Sequence, residues 1–149
     1  MNSLVCVDAS LILRTLLPGP YSQNAQALLT RWSQEQTALV APALLAFEVT
    51  AVLRRYVFLK ELTDEEGEAA LSQILQLGIR LSHRRGIFPL AWELARQFNR
   101  PRADDTAYLA LAQLHECDFW TADQRLYNAV SHELSWVRWV GDYQPSDYN

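Results

Sequence analysis

The sequence predicts an α/β fold in which a central, mostly parallel β-sheet is flanked by helices on both faces. Short apolar runs rich in β-branched residues alternate along the chain with longer segments whose apolar residues recur every three or four positions. This alternation favours parallel strands joined by helical crossovers. The 149 residues, 50% of them hydrophobic, suffice to bury one core, so we expect a single domain over residues 1–149.

Turn residues and apolar spacing divide the first half of the chain into five predicted elements. These are a strand at 4–7, helices at 9–17 and 21–35, a strand at 37–41 and a helix at 43–60. Pro18, Gly19 and Pro20 stop the first helix. Pro42 suits the first position of the third helix, because the N–H that proline lacks would have no partner there.

The second half contains seven further predicted elements. They are a helix from 63 to about 77, a strand at 79–82, helices from 89 to about 99 and from 103 or 104 to 116, a strand at 119–122, a helix at Gln124–Val130 and a strand at 136–140. Thr63 and Glu66 form a capping-box pattern, and Pro89 is placed to open its helix. After Gly141 the periodicity is lost, so we expect residues 141–149 to form a loose tail.

Four acidic residues lie where predicted strands end or predicted helices begin. They are Asp8, Glu48, Asp105 and Asp123. In a parallel α/β sheet these positions share the carboxyl edge, so we expect the four side chains to converge. Clustered carboxylates stay ionised together mainly when a divalent cation lies among them. Ligation by oxygen alone favours Mg²⁺ or Mn²⁺ over zinc.

Charge and composition limit the partners of the chain. The net charge is −4, from 17 acidic and 13 basic residues, which argues against strong nonspecific binding to nucleic acid. Twelve of the basic residues are arginines, however, and arginine binds phosphate in a bidentate manner. No apolar run approaches the roughly 20 residues of a membrane helix, and the N-terminus lacks the basic start of a signal peptide. We therefore expect a soluble cytoplasmic protein with no membrane partner.

Taken together, the acidic segments resemble the PIN domain. Val-Asp-Ala-Ser near the N-terminus, Glu48 on the helix after the second strand, the Asp-Thr-Ala-Tyr-Leu-Ala-Leu-Ala segment from Asp105, and Thr-Ala-Asp ending at Asp123 follow the order and spacing of that family. The resemblance spans most of the chain. Small bacterial members are chiefly VapC-type toxins of toxin–antitoxin pairs. The resemblance implies an Mg²⁺- or Mn²⁺-dependent endoribonuclease that acts on RNA, usually as a homodimer silenced by a cognate antitoxin.

The resemblance also implies residue roles. It assigns catalysis and metal binding to Asp8, Glu48, Asp105 and Asp123. Asp105 is preferred to its neighbour because the family places the carboxylate three residues before a tyrosine, here Tyr108. Further candidates near the ligands are Ser10, Asp104 and Thr121, with Asp104 either a helix cap or a group beside the metal ligands. Candidates for contact with the RNA backbone are Arg14, Arg102 and Arg125.

Other classes of protein fit the residues less well. A phosphate-transferring domain of the haloacid-dehalogenase kind needs Asp-x-Asp after its first strand, but Ser10 replaces the second Asp. A receiver domain needs a lysine near its last strands, whereas Lys60, the one lysine, lies in a predicted helix. The alternative that stays open is a PIN-fold module that binds RNA or protein without turnover. Trp32 and Trp92 lie on apolar helix faces, which we expect a second subunit or an antitoxin to cover.

Overall fold

Five parallel strands form the centre of the molecule. The computed structural model describes residues 3–145. Its strands are β1 Leu4–Val7, β2 Ala38–Pro42, β3 Arg80–Ser82, β4 Asp118–Thr121 and β5 Val137–Trp139. They lie in the order β3-β2-β1-β4-β5, and each neighbouring pair is parallel. The predicted α/β fold is confirmed, and the sheet is fully parallel.

Helices connect these strands. They are α1 Ala9–Leu16, α2 Ser22–Gln34, α3 Leu44–Phe58, α4 Asp64–Leu75, α5 Ile87–Gln97, α6 Asp104–His115 and α7 Gln124–Val130. The chain moves outward from β1 to β2 and β3, then crosses back to β4 and β5. Because crossovers between parallel strands are right-handed, this reversal places helices on both faces of the sheet. The capping box of Thr63 and Glu66 opens α4 as predicted.

The core is built around β1 and α6. Cys6 and Val7 in β1 are fully buried, as are Leu109 to Ala112 in α6. Strand β1 therefore has the continuous apolar sequence of a strand covered on both faces. The buried Thr106 hydroxyl donates to the Ala91 carbonyl at 2.8 Å and fixes α5 on α6. This packing places the first turn of α6 at the carboxyl edge of the sheet, beside the end of β1.

Two prolines lie elsewhere than predicted. Pro42 is the last residue of β2, where it pairs with Ser82, and α3 begins two residues later. The register of β2 with β1 ends at Cys6 and Val40, so Pro42 lies beyond the last pair on that side of the strand. Pro89 is the third residue of α5, where the N–H likewise has no partner within the helix. Strand β4 also begins and ends one residue earlier than predicted.

The chain after Gly141 is more ordered than its sequence suggests. Residues Val140–Asp142 form a 3₁₀ helix, and Asn24 Nδ2 donates to the Tyr143 carbonyl at 2.8 Å. The Tyr143 ring packs edge-on against Trp120, with 6.1 Å between ring centroids. The prediction of a loose tail is therefore wrong for residues 141–143. The last four residues of the predicted tail lie outside the described residues.

Trp32 is covered by its own chain. It is only 6% exposed and packs edge-on against Trp120 at a centroid distance of 6.1 Å. The expectation that a second protein covers this residue is wrong, because the C-terminal strands supply the cover. Trp92 differs, since it is 65% exposed on α5. No helix within residues 3–145 has the length and apolar character needed to cross a membrane.

Candidate functional site

Asp8 lies at the carboxyl edge of the sheet, where β1 ends and α1 begins. It is the N-cap of α1, and its Oδ1 accepts a hydrogen bond from the Leu11 N–H at 2.9 Å. Two hydroxyls also donate to it, Ser10 to Oδ1 at 2.7 Å and Thr121 to Oδ2 at 2.5 Å. Burial raises the pKa of Asp8 to about 6, while the three hydrogen bonds oppose the rise. The surrounding donors therefore support the ionised form without fully compensating its desolvation.

Ser10 and Thr121 join the ends of β1 and β4. Ser10 Oγ accepts the Ala122 N–H at 3.1 Å, and Thr121 Oγ1 accepts the Asp123 N–H at 2.9 Å. Each hydroxyl thus accepts from the backbone after β4 and donates to Asp8, which fixes the direction of its proton. Both hydroxyls therefore orient the Asp8 carboxylate.

One of the two carboxylate oxygens of Asp123 caps a helix. This residue is the N-cap of α7, and its Oδ1 accepts the backbone N–H groups of Arg125 at 3.0 Å and Leu126 at 3.2 Å. Its Oδ2 accepts no hydrogen bond from the described residues. The cap therefore orients the side chain and leaves one oxygen for another partner.

Glu48 lies in the second turn of α3 and reaches across to α6. The Tyr108 hydroxyl donates to its Oε1 at 2.5 Å. Tyr108 is itself buried and stacks on Phe119, so its hydroxyl is a fixed donor. Burial raises the pKa of Glu48, the Tyr108 hydrogen bond lowers it, and the charges of Asp104 and Asp105 raise it again. Burial and the Glu48 charge raise the pKa of Tyr108, so this hydroxyl keeps its proton.

Two adjacent carboxylates open α6, and each faces an arginine. Asp105 Oδ2 lies 3.6 Å from Arg100 Nη2, and Asp104 Oδ2 lies 3.0 Å from Arg102 Nη2. Burial raises the pKa of Asp105, the charges of Asp104 and Asp123 add to the rise, and Arg100 opposes it. Asp104 is the first residue of the helix and makes no capping hydrogen bond, so the first of its two expected roles, the helix cap, is wrong. The second, a group beside the metal ligands, stays a prediction.

The carboxylates lie within electrostatic reach of one another. The charge of Asp123 raises the pKa of both Asp8 and Asp105, and Asp105 also acts on Glu48. As the side chains stand, no group of three or more His, Cys, Asp or Glu residues in the described part of the chain is arranged to hold a metal ion. The donor set consists of carboxylate and hydroxyl oxygens, which Mg²⁺ and Mn²⁺ prefer. The site therefore fits a divalent cation by chemistry and charge, although its side chains point to protein partners.

The three arginines singled out from the sequence differ in position. Arg102 lies beside the carboxylates and lowers the pKa of Glu48. Arg125 follows Asp123 in the first turn of α7 and is exposed. Arg14 lies in the last turn of α1, and its guanidinium donates to the Pro18 carbonyl at 3.4 Å. The structure thus brings Arg102 and Arg125 to the site but leaves Arg14 at the far end of its helix.

Sequence reasoning missed two residues that contact the acidic side chains. In the family pattern Tyr108 only identifies Asp105, yet Tyr108 lies one turn further along α6 and its hydroxyl binds Glu48. Asp105 and Tyr108 are three residues apart, and this helical spacing indicates that they share one face of α6. Arg100 lies in the loop before α6, and nothing in its local sequence marks it as the partner of Asp105.

Comparison with known proteins gives one consistent set of similarities. The family model described as the PIN domain matches residues 5–131. Ribonuclease VapC1 of Mycobacterium tuberculosis, in strains CDC 1551/Oshkosh and ATCC 25618/H37Rv, is 30% identical over 121 residues, which are 80% of this chain and 86% of that protein. A toxin-antitoxin complex from Klebsiella pneumoniae contains a chain that superposes with a TM-score of 0.61 at 17% identity, covering 95% of this chain and 98% of that one. At that identity the likeness is one of fold.

Proposed function

The chain belongs to the PIN-domain family, and on this basis we propose that it is a metal-dependent endoribonuclease, the toxin of a toxin–antitoxin pair. One observation of the site carries the proposal. A buried carboxylate, Asp8, is held by three hydrogen bonds at the carboxyl edge of the sheet, and Asp123 raises its pKa. Such concentration of negative charge is costly unless a cation or a function compensates it.

Asp8, Glu48, Asp105 and Asp123 would hold Mg²⁺ or Mn²⁺. Such an ion, when bound, activates water and stabilises the charge that develops as a phosphodiester bond is cleaved in line. The protein supplies orientation. Ser10 and Thr121 hold both oxygens of Asp8, Tyr108 holds one oxygen of Glu48, and the α7 backbone holds one oxygen of Asp123. By resemblance to the family, cleavage leaves a 5′-phosphate and a 3′-hydroxyl.

The RNA backbone would lie over the arginines that flank the acidic side chains. Arg102 and Arg125 are both exposed beside the site, whereas Arg14 is turned to its own loop. Because the net charge is −4, the chain is expected to bind RNA weakly outside its target. Because RNA is the substrate, we place this activity in the cytoplasm.

Exposed apolar side chains support the proposal that the chain binds other proteins. Phe47, Phe58, Phe88 and Trp92 are all largely exposed, and the last two lie one turn apart on α5. Exposed aromatic groups of this size commonly mark protein interfaces. The proposed partners are a second copy of the chain and a cognate antitoxin. The second is in keeping with the Klebsiella pneumoniae chain of similar fold, which was solved in a toxin-antitoxin complex.

The proposal is tested by incubating labelled total RNA with the purified full chain in Mg²⁺, Mn²⁺ or EDTA. We expect discrete fragments in either metal and intact RNA in EDTA. Mapping the fragment ends by sequencing then identifies the target. Fragments that persist in EDTA would contradict the metal-dependent mechanism and point to contamination or to a different chemistry.

A second candidate is a PIN-fold module that binds RNA or protein without turnover. The observation in its favour is that, across residues 3–145, no three metal-ligating side chains are arranged around one point. Intact RNA under every metal condition, with a folded sample free of antitoxin, would favour this candidate. A gel-shift titration of the same RNA then separates RNA binding from a purely protein-binding role.

Replacing Tyr108 by Phe is expected to lower cleavage about tenfold and leave the fold intact. The change removes the hydroxyl that holds Glu48 and keeps the ring that stacks on Phe119. Loss of a group that orients a metal ligand typically costs about 10- to 100-fold. Initial rates at saturating Mn²⁺ measure the effect. Tyr127→Phe is the matched control, because Tyr127 stacks on Trp139 away from the carboxylates. Equal rates for wild type and Tyr108→Phe would show that the Tyr108 hydroxyl does not contribute to cleavage.

A further inference from the structure

Arg100 is an unusual arginine because its charge is partly buried and incompletely satisfied. Its side chain is 26% exposed and lies in the loop between α5 and α6, which its own N–H anchors by donating to the Ala95 carbonyl at 2.8 Å. Among the described residues, its buried Nε has no hydrogen-bond partner. A guanidinium in this position depends on a nearby anion for its stability.

The anion that Arg100 faces is Asp105. The two side chains approach to 3.6 Å between Nη2 and Oδ2, which is longer than a hydrogen bond. Both residues are partly shielded from water, so the attraction is stronger than between fully exposed charges. The contact is therefore electrostatically favourable but not locked by a short bidentate geometry. Asp105 is held in place by a charge that another cation can replace.

The neighbouring pair makes a useful contrast. Arg102 contacts Asp104 at 3.0 Å, but its side chain is 79% exposed. Solvent and salt screen an exposed pair of this kind, and its contribution is small. Arg100 and Arg102 therefore carry the same charge near the same carboxylates in two different environments.

We propose that Arg100 is an internal counter-ion of Asp105 that a divalent cation must displace, so that this arginine sets the metal concentration at which the site fills. The inference rests on the proposed function. It accounts for two observations together: Asp105 lies 3.6 Å from a partly buried guanidinium, and within residues 3–145 the carboxylates are not arranged around one point. Asp105 would have to give up its contact with Arg100 before it could help to hold a divalent cation. Arg100 acts through Asp105 and is a positioning residue.

The experiment compares Mn²⁺ affinity in the full chain, measured from the electron paramagnetic resonance signal of free Mn²⁺. Arg100→Gln is expected to lower the Kd for Mn²⁺ about tenfold, since it removes a half-buried competing charge. Arg102→Gln is the matched control, and its effect is expected to stay below about twofold at 0.5 M NaCl, where surface charges are screened. The effect of Arg100→Gln should persist at that salt concentration.

A double-mutant cycle isolates the pair. In an Asp105→Asn background, Arg100→Gln is expected to change the remaining Mn²⁺ affinity much less, because the contact with Asp105 is already gone and only the general repulsion between Arg100 and the ion remains. Thermal unfolding followed by circular dichroism verifies that each variant is folded. The proposed competition predicts that Arg100→Gln strengthens Mn²⁺ binding clearly when Asp105 is present and much less when Asp105 is replaced by Asn.

Two results would overturn the inference. Weaker Mn²⁺ binding by Arg100→Gln would mean that Arg100 holds Asp105 ready for the metal instead of competing with it. An effect no larger than that of Arg102→Gln would make Arg100 one more surface charge. In both cases wild-type binding and cleavage persist, so the proposed function stands. If neither wild type nor Arg100→Gln binds Mn²⁺, the metal-dependent function and the inference fail together.

Discussion

Replacing Asp8 by Asn is expected to abolish RNA cleavage in a chain that remains folded. The change removes the negative charge at nearly constant volume, and the remaining amide oxygen can still accept from Leu11 and Ser10. The proposed metal ligand Asp8 would lose its charge, and loss of one such group commonly lowers the rate by about 10³-fold or more. Initial rates of cleavage of a labelled RNA in Mn²⁺ measure the loss.

The sheet offers a matched control for this variant. Asp118 is also an aspartate on a central strand, but it opens β4 at the amino edge, where it pairs with Val5 and faces Arg138 at 3.4 Å. Asp118→Asn is therefore expected to cleave RNA at the wild-type rate. Full activity in Asp8→Asn, or an equal loss in both variants, would contradict the proposed site.

The same Asp8→Asn variant is expected to be more stable than wild type at neutral pH. Burial raises the pKa of Asp8 from 3.8 to about 6 in the folded chain. Between these values the folded state binds more protons than the unfolded state, so the free energy of unfolding falls as pH rises. The free-energy cost of keeping Asp8 ionised in the folded chain is fully present above pH 6 and vanishes below about pH 4. At 1.36 kcal/mol per pH unit it amounts to about 3 kcal/mol.

Denaturant unfolding between pH 4 and pH 8, in EDTA, measures this cost. Glu48 and Asp105 also have raised pKa values, so the quantity to compare is the difference between wild type and variant at each pH. That difference should open as pH rises through the range from 4 to 6 and stay constant above it. A difference that does not change with pH would show that Asp8 titrates normally in the folded chain.

The sequence was a good guide to the fold because its signals are local. Strands and helices follow from the spacing of apolar residues, and each spacing involves only a few neighbours. The errors occurred where a residue suits two positions. Pro42 lacks an N–H that neither a helix start nor a strand end requires, so the sequence could not distinguish the two.

The candidate site was predictable in its position but not in its partners. Asp8 and Asp123 follow strands, and a parallel sheet brings such residues to one edge. The hydroxyl of Tyr108 meets Glu48 across 60 residues of chain, and Arg100 reaches Asp105 through the fold of a loop. Contacts of this kind depend on side-chain direction in three dimensions, which residue spacing does not specify. For the same reason the cover of Trp32 by Trp120 was missed.

The pairing of β1 with β4 also determines when the site can exist during synthesis. Asp8 leaves the ribosome long before the Thr121 hydroxyl that binds it, which lies 113 positions later. A nascent chain that has not yet reached β4 has no partner strand on that side of β1, and it lacks Asp123 as well. The four-carboxylate edge therefore forms only after β4 has emerged, and shorter translation products lack it. Any translation product that stops before β4 therefore lacks the complete site of the proposed nuclease.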